Sequence, residues 1–133
     1  MAPTVREAVP ADLPDILEFI RGLARYERAE DEVVATVDDL EAALFGDNAK
    51  ARCFIAGIDG KSVGCAVFFY NFSTWTGRYG IYLEDLFVEV AHRGTGAGLA
   101  LMQALAKTAV DEGCTRFEWS VLDWNQPSID FYE

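Results

Sequence analysis

Residues 79–99 constrain the fold more tightly than any other stretch of the chain. Residues 79–88 read as a strand that carries two adjacent acids, Glu84 and Asp85, among apolar positions. A short connection leads into Arg93-Gly94-Thr95-Gly96-Ala97-Gly98. A helical pattern of Leu99, Leu101, Met102, Leu105, Ala106 and Ala109 follows without a break and stops at Gly113. Such a strand–loop–helix unit needs a sheet for the helix to cover. The three glycines leave the backbone bare where the helix begins, and there free N–H groups and the positive end of the helix dipole point outward. This is a site for a phosphate-bearing ligand. The two acids just upstream imply that something positively charged is brought to it.

The remaining sequence supplies the rest of that sheet. Residues 4–9 alternate like a short first strand. Pro10-Ala11-Asp12 opens a helix in which Leu13, Ile16, Leu17, Phe19, Ile20, Leu23 and Ala24 share a face. An acidic, poorly periodic segment covers residues 26–32. Thr36, with Asp39 three residues on, reads as a helix N-cap, and Leu40, Ala43, Leu44 and Phe45 form the buried face before Gly46. Residues 51–58 and 62–72 are strand-like runs around Asp59-Gly60, a strong hairpin signal. Residues 116–122 make a further strand, and Pro127 opens a last helical segment. The expected order is β-α-α-β-β-β-α-β-α, an α/β domain on a mixed sheet flanked by helices, with residues 1–133 as one domain. The final Phe131-Tyr132-Glu133 carries no stop signal, so the chain reads as truncated in mid-helix.

The length of 133 residues suits one core. No apolar run is long enough for a membrane-spanning helix and the N-terminus has no signal-peptide pattern, so the expected location is the cytoplasm. A net charge of −11 argues against nucleic-acid and anionic-membrane partners and favours cationic ligands, although taken by itself such acidity is better explained by solubility alone. Cys53, Cys65 and Cys114 have no metal-ligand spacing and read as small buried hydrophobes.

Two familiar phosphate loops do not fit. A P-loop needs Lys and Ser or Thr after its last glycine, where Leu99 and Ala100 stand, and the dinucleotide fingerprint needs a different glycine spacing. Arg93-x-x-Gly96-x-Gly98 after Leu86-Phe87-Val88 resembles the acetyl-CoA loop of the GNAT N-acetyltransferases. Asn125-Gln126-Pro127-Ser128-Ile129-Asp130-Phe131-Tyr132 is similar to a second segment of that family. Ala24-Arg25-Tyr26-Glu27, Trp75-Thr76-Gly77, Tyr82-Leu83-Glu84-Asp85 and Trp124-Asn125 resemble the spermidine/spermine and thialysine subgroup. The likeness runs along essentially the whole chain and lacks only the family's C-terminal strands.

The resemblance implies acetyl-CoA as co-substrate, no metal, and a homodimer. It places the pyrophosphate on the backbone of Gly94, Thr95, Gly96, Ala97, Gly98 and Leu99, with Arg93 adding a charge-assisted contact. Main-chain groups of Leu86, Phe87 and Val88 are expected to pair with the coenzyme arm like an added strand, which leaves their side chains to the core. Asn125 and Ser128 are expected to hydrogen-bond that arm, and helix capping is an equal use for Asn125. Tyr132 is implied as the general acid for the leaving thiolate. Without the motif it reads as an apolar-face tyrosine.

An acceptor amine, with a pKa of about 10.4, must lose a proton before attack. Strand alternation is expected to put Glu84 on the opposite face from Asp85, which makes Glu84 the proposed base and leaves Asp85 without a role. A solvated acid beside a paired one is the competing account of the two residues. Tyr26, Glu27, Trp75, Glu118, Trp119 and Ser120 match acceptor-side positions of the subgroup. Polyamine enzymes carry Asp-Pro where Ser73-Thr74 stand here, which leans this chain toward the thialysine branch. His92 reads as a surface residue. The expected activity is direct acetyl transfer to a small cationic amine. The alternatives are a protein or peptide N-acetyltransferase of the same fold and a non-catalytic acyl-CoA-binding module.

Overall fold

The computed structural model describes residues 2–119. The elements are β1 (Thr4–Glu7), α1 (Leu13–Tyr26), α2 (Val37–Phe45), β2 (Ala51–Ile58), β3 (Lys61–Ser73), β4 (Arg78–Val88), α3 (Ala97–Asp111) and β5 (Phe117–Trp119). This is the expected order through the fifth strand. The anticipated last helix, and Ser120, Asn125, Ser128 and Tyr132, lie outside the described residues.

One mixed sheet holds the strands in the order β1-β2-β3-β4-β5. The first three pairings are antiparallel, and β4 runs parallel to β5. The Asp-Gly hairpin forms as anticipated, with φ of 53° at Asp59 and 80° at Gly60, the paired positive values of a type I′ turn. Thr36 and Asp39 cap α2 reciprocally. Asp39 N–H donates to Thr36 Oγ1 at 3.2 Å and Thr36 N–H donates to Asp39 Oδ2 at 2.9 Å.

Alternation along the strands splits the core in two. Phe54, Ala66, Phe68, Ile81 and Leu83 face α3 and pack on Leu101 and Leu105. Cys53, Ile55, Cys65 and Val67 face the other way, onto Ile16 and Phe19 of α1 and Leu44 of α2. Leu101 and Leu105 are both fully buried, worth about 1.5–3 kcal/mol each relative to exposure. The far end of α3 is pinned by Arg52, which donates to Glu112 at 3.1 Å, to Tyr70 at 2.6 Å and to Glu7 at 2.8 Å. Among the described residues, no helix is long and apolar enough to cross a membrane.

Asp12 is the buried acid that turns β1 into α1. Arg6 donates to both its oxygens at 2.8 Å, and Val9 N–H donates to Oδ2 at 2.8 Å. The hydrogen bond from Arg6 is the main reason its pKa is lowered, with Val9 N–H assisting against burial. Asp12→Ala should therefore cost about 1–2 kcal/mol. A carboxyl with a lowered folded pKa stabilises above its unfolded value and loses that contribution as pH falls through the folded one. Urea unfolding should show a clear gap between wild type and variant at pH 7. The gap should narrow as pH falls through the lowered pKa of the folded carboxyl.

Candidate active site

The strand pairing of β4 is interrupted once. Phe68 lies opposite Leu83 and Val67 opposite Asp85, so Glu84 is an extra residue in a β-bulge. The bulge corrects the expectation from simple alternation. Leu83 faces α3, yet Asp85 pairs with Val67 and faces α1. Asp85 has therefore changed faces, and the sheet does not screen the two acids from each other. Glu84 is exposed and Asp85 half-buried. Burial, then the charge of Glu84, then that of Glu27, pushes the Asp85 carboxyl up to about 6. The acid that sequence reasoning left without a role is the one tuned away from ordinary behaviour. No sequence pattern encodes a bulge, so only a strand register could have found it.

β5 is described as far as Trp119. Leu83 pairs with Trp119, and beyond it β4 has no β5 partner among the described residues. Leu86, Phe87 and Val88 pair with Ala66, Cys65 and Gly64 of β3 along their other edge. Two glycines shape this stretch from outside. A Cβ on Gly64 would stand 2.4 Å from the Phe87 carbonyl oxygen, and one on Gly22 of α1 would stand 2.8 Å from the Phe87 ring.

A 3-10 turn, Val90–His92, carries the chain from β4 into the glycine loop. Gly94 and Gly96 have φ of 84° and 90°, which side-chain-bearing residues rarely adopt. Gly96 caps α3 without any side-chain hydrogen bond, and Ala100 N–H is the first to return, to Gly96 O at 2.9 Å. The N–H groups of Ala97, Gly98 and Leu99 are left for an anion. Thr95 commits its hydroxyl to His92 O at 2.6 Å. The donor set fits the pyrophosphate of a coenzyme.

Arg93 joins the two halves of the site. Its Nε donates to Val88 O at 3.2 Å, while its guanidinium lies 4.9 Å from the Tyr26 ring and 5.9 Å from that of Phe87. Tyr26 ends α1 against Arg93, and Glu27, which follows it, is one of the two charges that raise the Asp85 pKa. Trp75 does not join them. It is 98 % exposed at the tip of the β3–β4 loop. Glu118 and Trp119 do not share a side either. Glu118 pairs with Tyr82 on the α1 face, whereas Trp119 pairs with Leu83 and meets the Phe117 ring edge-on at 5.4 Å on the α3 face. Adjacent strand residues cannot line one wall.

Comparison with known proteins accords with this geometry. The family model for the acetyltransferase (GNAT) family matches residues 15–133. The thialysine N-epsilon-acetyltransferase of Sus scrofa is 39% identical, over 97% of this chain and 80% of its own length. The Mus musculus protein of the same name is 37% identical, over 100% and 83%. The spermidine/spermine N(1)-acetyltransferase-like protein 1 of Homo sapiens is 36% identical over 96% of this chain and 19% of its own. Among solved structures, an aminoglycoside acetyltransferase from an uncultured soil metagenomic sample superposes with a TM-score of 0.82 at 19% identity, covering 98% of this chain and 84% of that one. At that identity the shared property is the fold.

Proposed function

The chain belongs to the GNAT acetyltransferase family, and from that premise we propose that it moves acetyl from acetyl-CoA directly to the primary amine of a small cationic acceptor. The acceptor class is a thialysine-like amino acid, a diamine or a polyamine, which accords with the names of its relatives. One observation carries this reading. A half-buried acid held up to about 6 by burial and two further acids follows a bulge in β4, the strand that leads into a bared helix N-terminus.

Acetyl-CoA supplies the activated acyl group, and the chain's own residues do the rest. The backbone of Gly94, Thr95, Gly96, Ala97, Gly98 and Leu99 holds the pyrophosphate with Arg93, and Leu86, Phe87 and Val88 align the coenzyme arm. Tyr26 and Glu27, with Glu84, attract the ammonium group. Asp85 takes its proton, directly or through one water. An ordinary carboxylate at about 4.3 is a poor acceptor from an amine at about 10.4, and the environment of Asp85 narrows that gap. Tyr132 protonates the departing thiolate, and Asn125 and Ser128 steady the coenzyme arm. Glu118 and Ser120 belong to the acceptor side. The assembly is a homodimer in the cytoplasm.

Release of free coenzyme A thiol, followed with thialysine, lysine, spermidine and spermine side by side, tests this reading. At least one amine should drive release, and Tyr132→Phe should lower kcat while coenzyme A still binds. Binding of coenzyme A without turnover of any amine would instead establish a non-catalytic acyl-CoA-binding module.

A further inference from the structure

Three polar side chains meet over a glycine on the α1 face of the sheet. Asn71 on β3 pairs with Gly80 on β4, and the next residue of that face, Tyr82, pairs with Glu118 on β5. Asn71 Nδ2 donates to Glu118 Oε1 at 2.9 Å, spanning β4 from one neighbouring strand to the other. Only a bare backbone permits this, because a Cβ on Gly80 would stand 2.8 Å from Asn71 Oδ1 and 3.0 Å from Arg116 Cβ. Arg116 Nε lies 3.6 Å from the same Glu118 oxygen. Asn71 Oδ1 is buried with no partner among the described residues. The amide keeps this orientation although it leaves a carbonyl oxygen unpaired, since the reverse would set that oxygen against the Glu118 carboxylate.

The two charged members of the trio are accessible. The Arg116 and Glu118 side chains are 42% and 45% exposed. Phe69 and Tyr82, stacked at 5.2 Å, form an apolar floor on the same face between the trio and Asp85. Tyr82 and Asp85 are three residues apart with one absorbed by the bulge, so Glu118 and Asp85 stand two strand steps, roughly 7 Å, apart along the strand. A side chain of lysine length bridges that gap, and a one- or two-carbon linker does not.

We propose that Arg116, Glu118 and Asn71 read the zwitterionic end of an amino-acid acceptor whose distal amine reacts at Asp85. This rests on the acetyl-transfer reading above and narrows its acceptor class. Arg116 takes the α-carboxylate through its planar fork, and Glu118 takes the α-ammonium. Asn71 is a positioning residue that fixes one Glu118 oxygen and leaves Oε2 for the ligand. A diamine offers Arg116 nothing to bind and sets a cation beside it, so the trio selects against diamines as well as for amino acids.

Three acceptors of one chain length separate the contacts: L-lysine, cadaverine (no carboxylate) and 6-aminohexanoate (no α-amine). Wild type should favour lysine in kcat/KM at least tenfold over each. Arg116→Gln should abolish the preference over cadaverine while sparing that over 6-aminohexanoate, and Glu118→Gln should do the reverse. Asn71→Leu should erode the second preference, with the loss falling on KM rather than kcat. Equal kcat/KM for the three amines in wild type, or equal losses for all three in the variants, would overturn the assignment. If none of the three is acetylated, the acetyl-transfer reading fails for such amines and calorimetric titration of the coenzyme A-loaded protein decides the recognition site alone. Lysine binding at least tenfold tighter than both analogues supports it, and any smaller preference overturns it.

Discussion

Asp85→Asn should lower kcat/KM by about 10²- to 10⁴-fold, the range of a lost general base, and should make the protein more stable. Both effects come from one cause. Burial, with the charges of Glu84 and Glu27 behind it, holds the carboxyl up to about 6 from an ordinary 3.8. A folded pKa above the unfolded one means that the native state binds the proton more tightly. Stability is then greatest below the unfolded value and falls as pH rises through about 6. At pH 7 the ionised carboxylate costs up to about 3 kcal/mol, which a neutral amide does not incur. Thermal unfolding should show a higher Tm for the variant at pH 7–8 and little difference near pH 4. The kcat/KM profile of wild type should fall below about pH 6. Glu84→Gln removes the second-largest cause and should move that fall to lower pH. A variant that keeps its activity, or a profile flat from pH 5 to 7, would remove Asp85 from the chemistry.

The parts of this site made by local chain geometry were legible in the sequence. Asp59-Gly60 demands positive φ at two successive residues and admits one turn. Gly94, Thr95 and Gly96 lie between an apolar strand and an apolar helix face, and the two glycines adopt the left-handed backbone that their composition allows. Thr36 and Asp39 satisfy each other's backbone over three residues. Long-range register was hidden. The bulge at Glu84 depends on how β3 lies against β4, sixteen or more residues away, and it moves Asp85 to the other face. Glu118 and Trp119 were read together because sequence adjacency looks like spatial adjacency, and a strand separates them. Trp75 matched a motif without the contacts that motif implies. Asn71 carried no pattern of its own, since its hydrogen bond to Glu118 exists only because Gly80 lies between them.

Gly64 is the plainest case of a residue whose function is to be absent. It lies buried in β3, opposite Val88 at the end of β4, and its backbone conformation is open to any residue. A methyl there would meet the Phe87 carbonyl oxygen at 2.4 Å and Val88 Cα at 3.1 Å. Backbone on both sides cannot rotate away as a side chain does, so β4 must shift. Gly64→Ala should therefore cost about 1–3 kcal/mol. The shift falls on Phe87 and Val88, two of the residues proposed to align the coenzyme arm, and Val88 also holds Arg93 through its carbonyl. Coenzyme A affinity should drop at least tenfold, about 1.4 kcal/mol. Gly57 in β2 is the control, because a Cβ there meets nothing nearer than 3.4 Å and the loss of chain entropy on folding becomes smaller. Gly57→Ala should leave the urea midpoint within error or raise it slightly, with coenzyme A binding intact. Steric pressure on β4 is disproved if titration and unfolding return the same values for the two alanine variants.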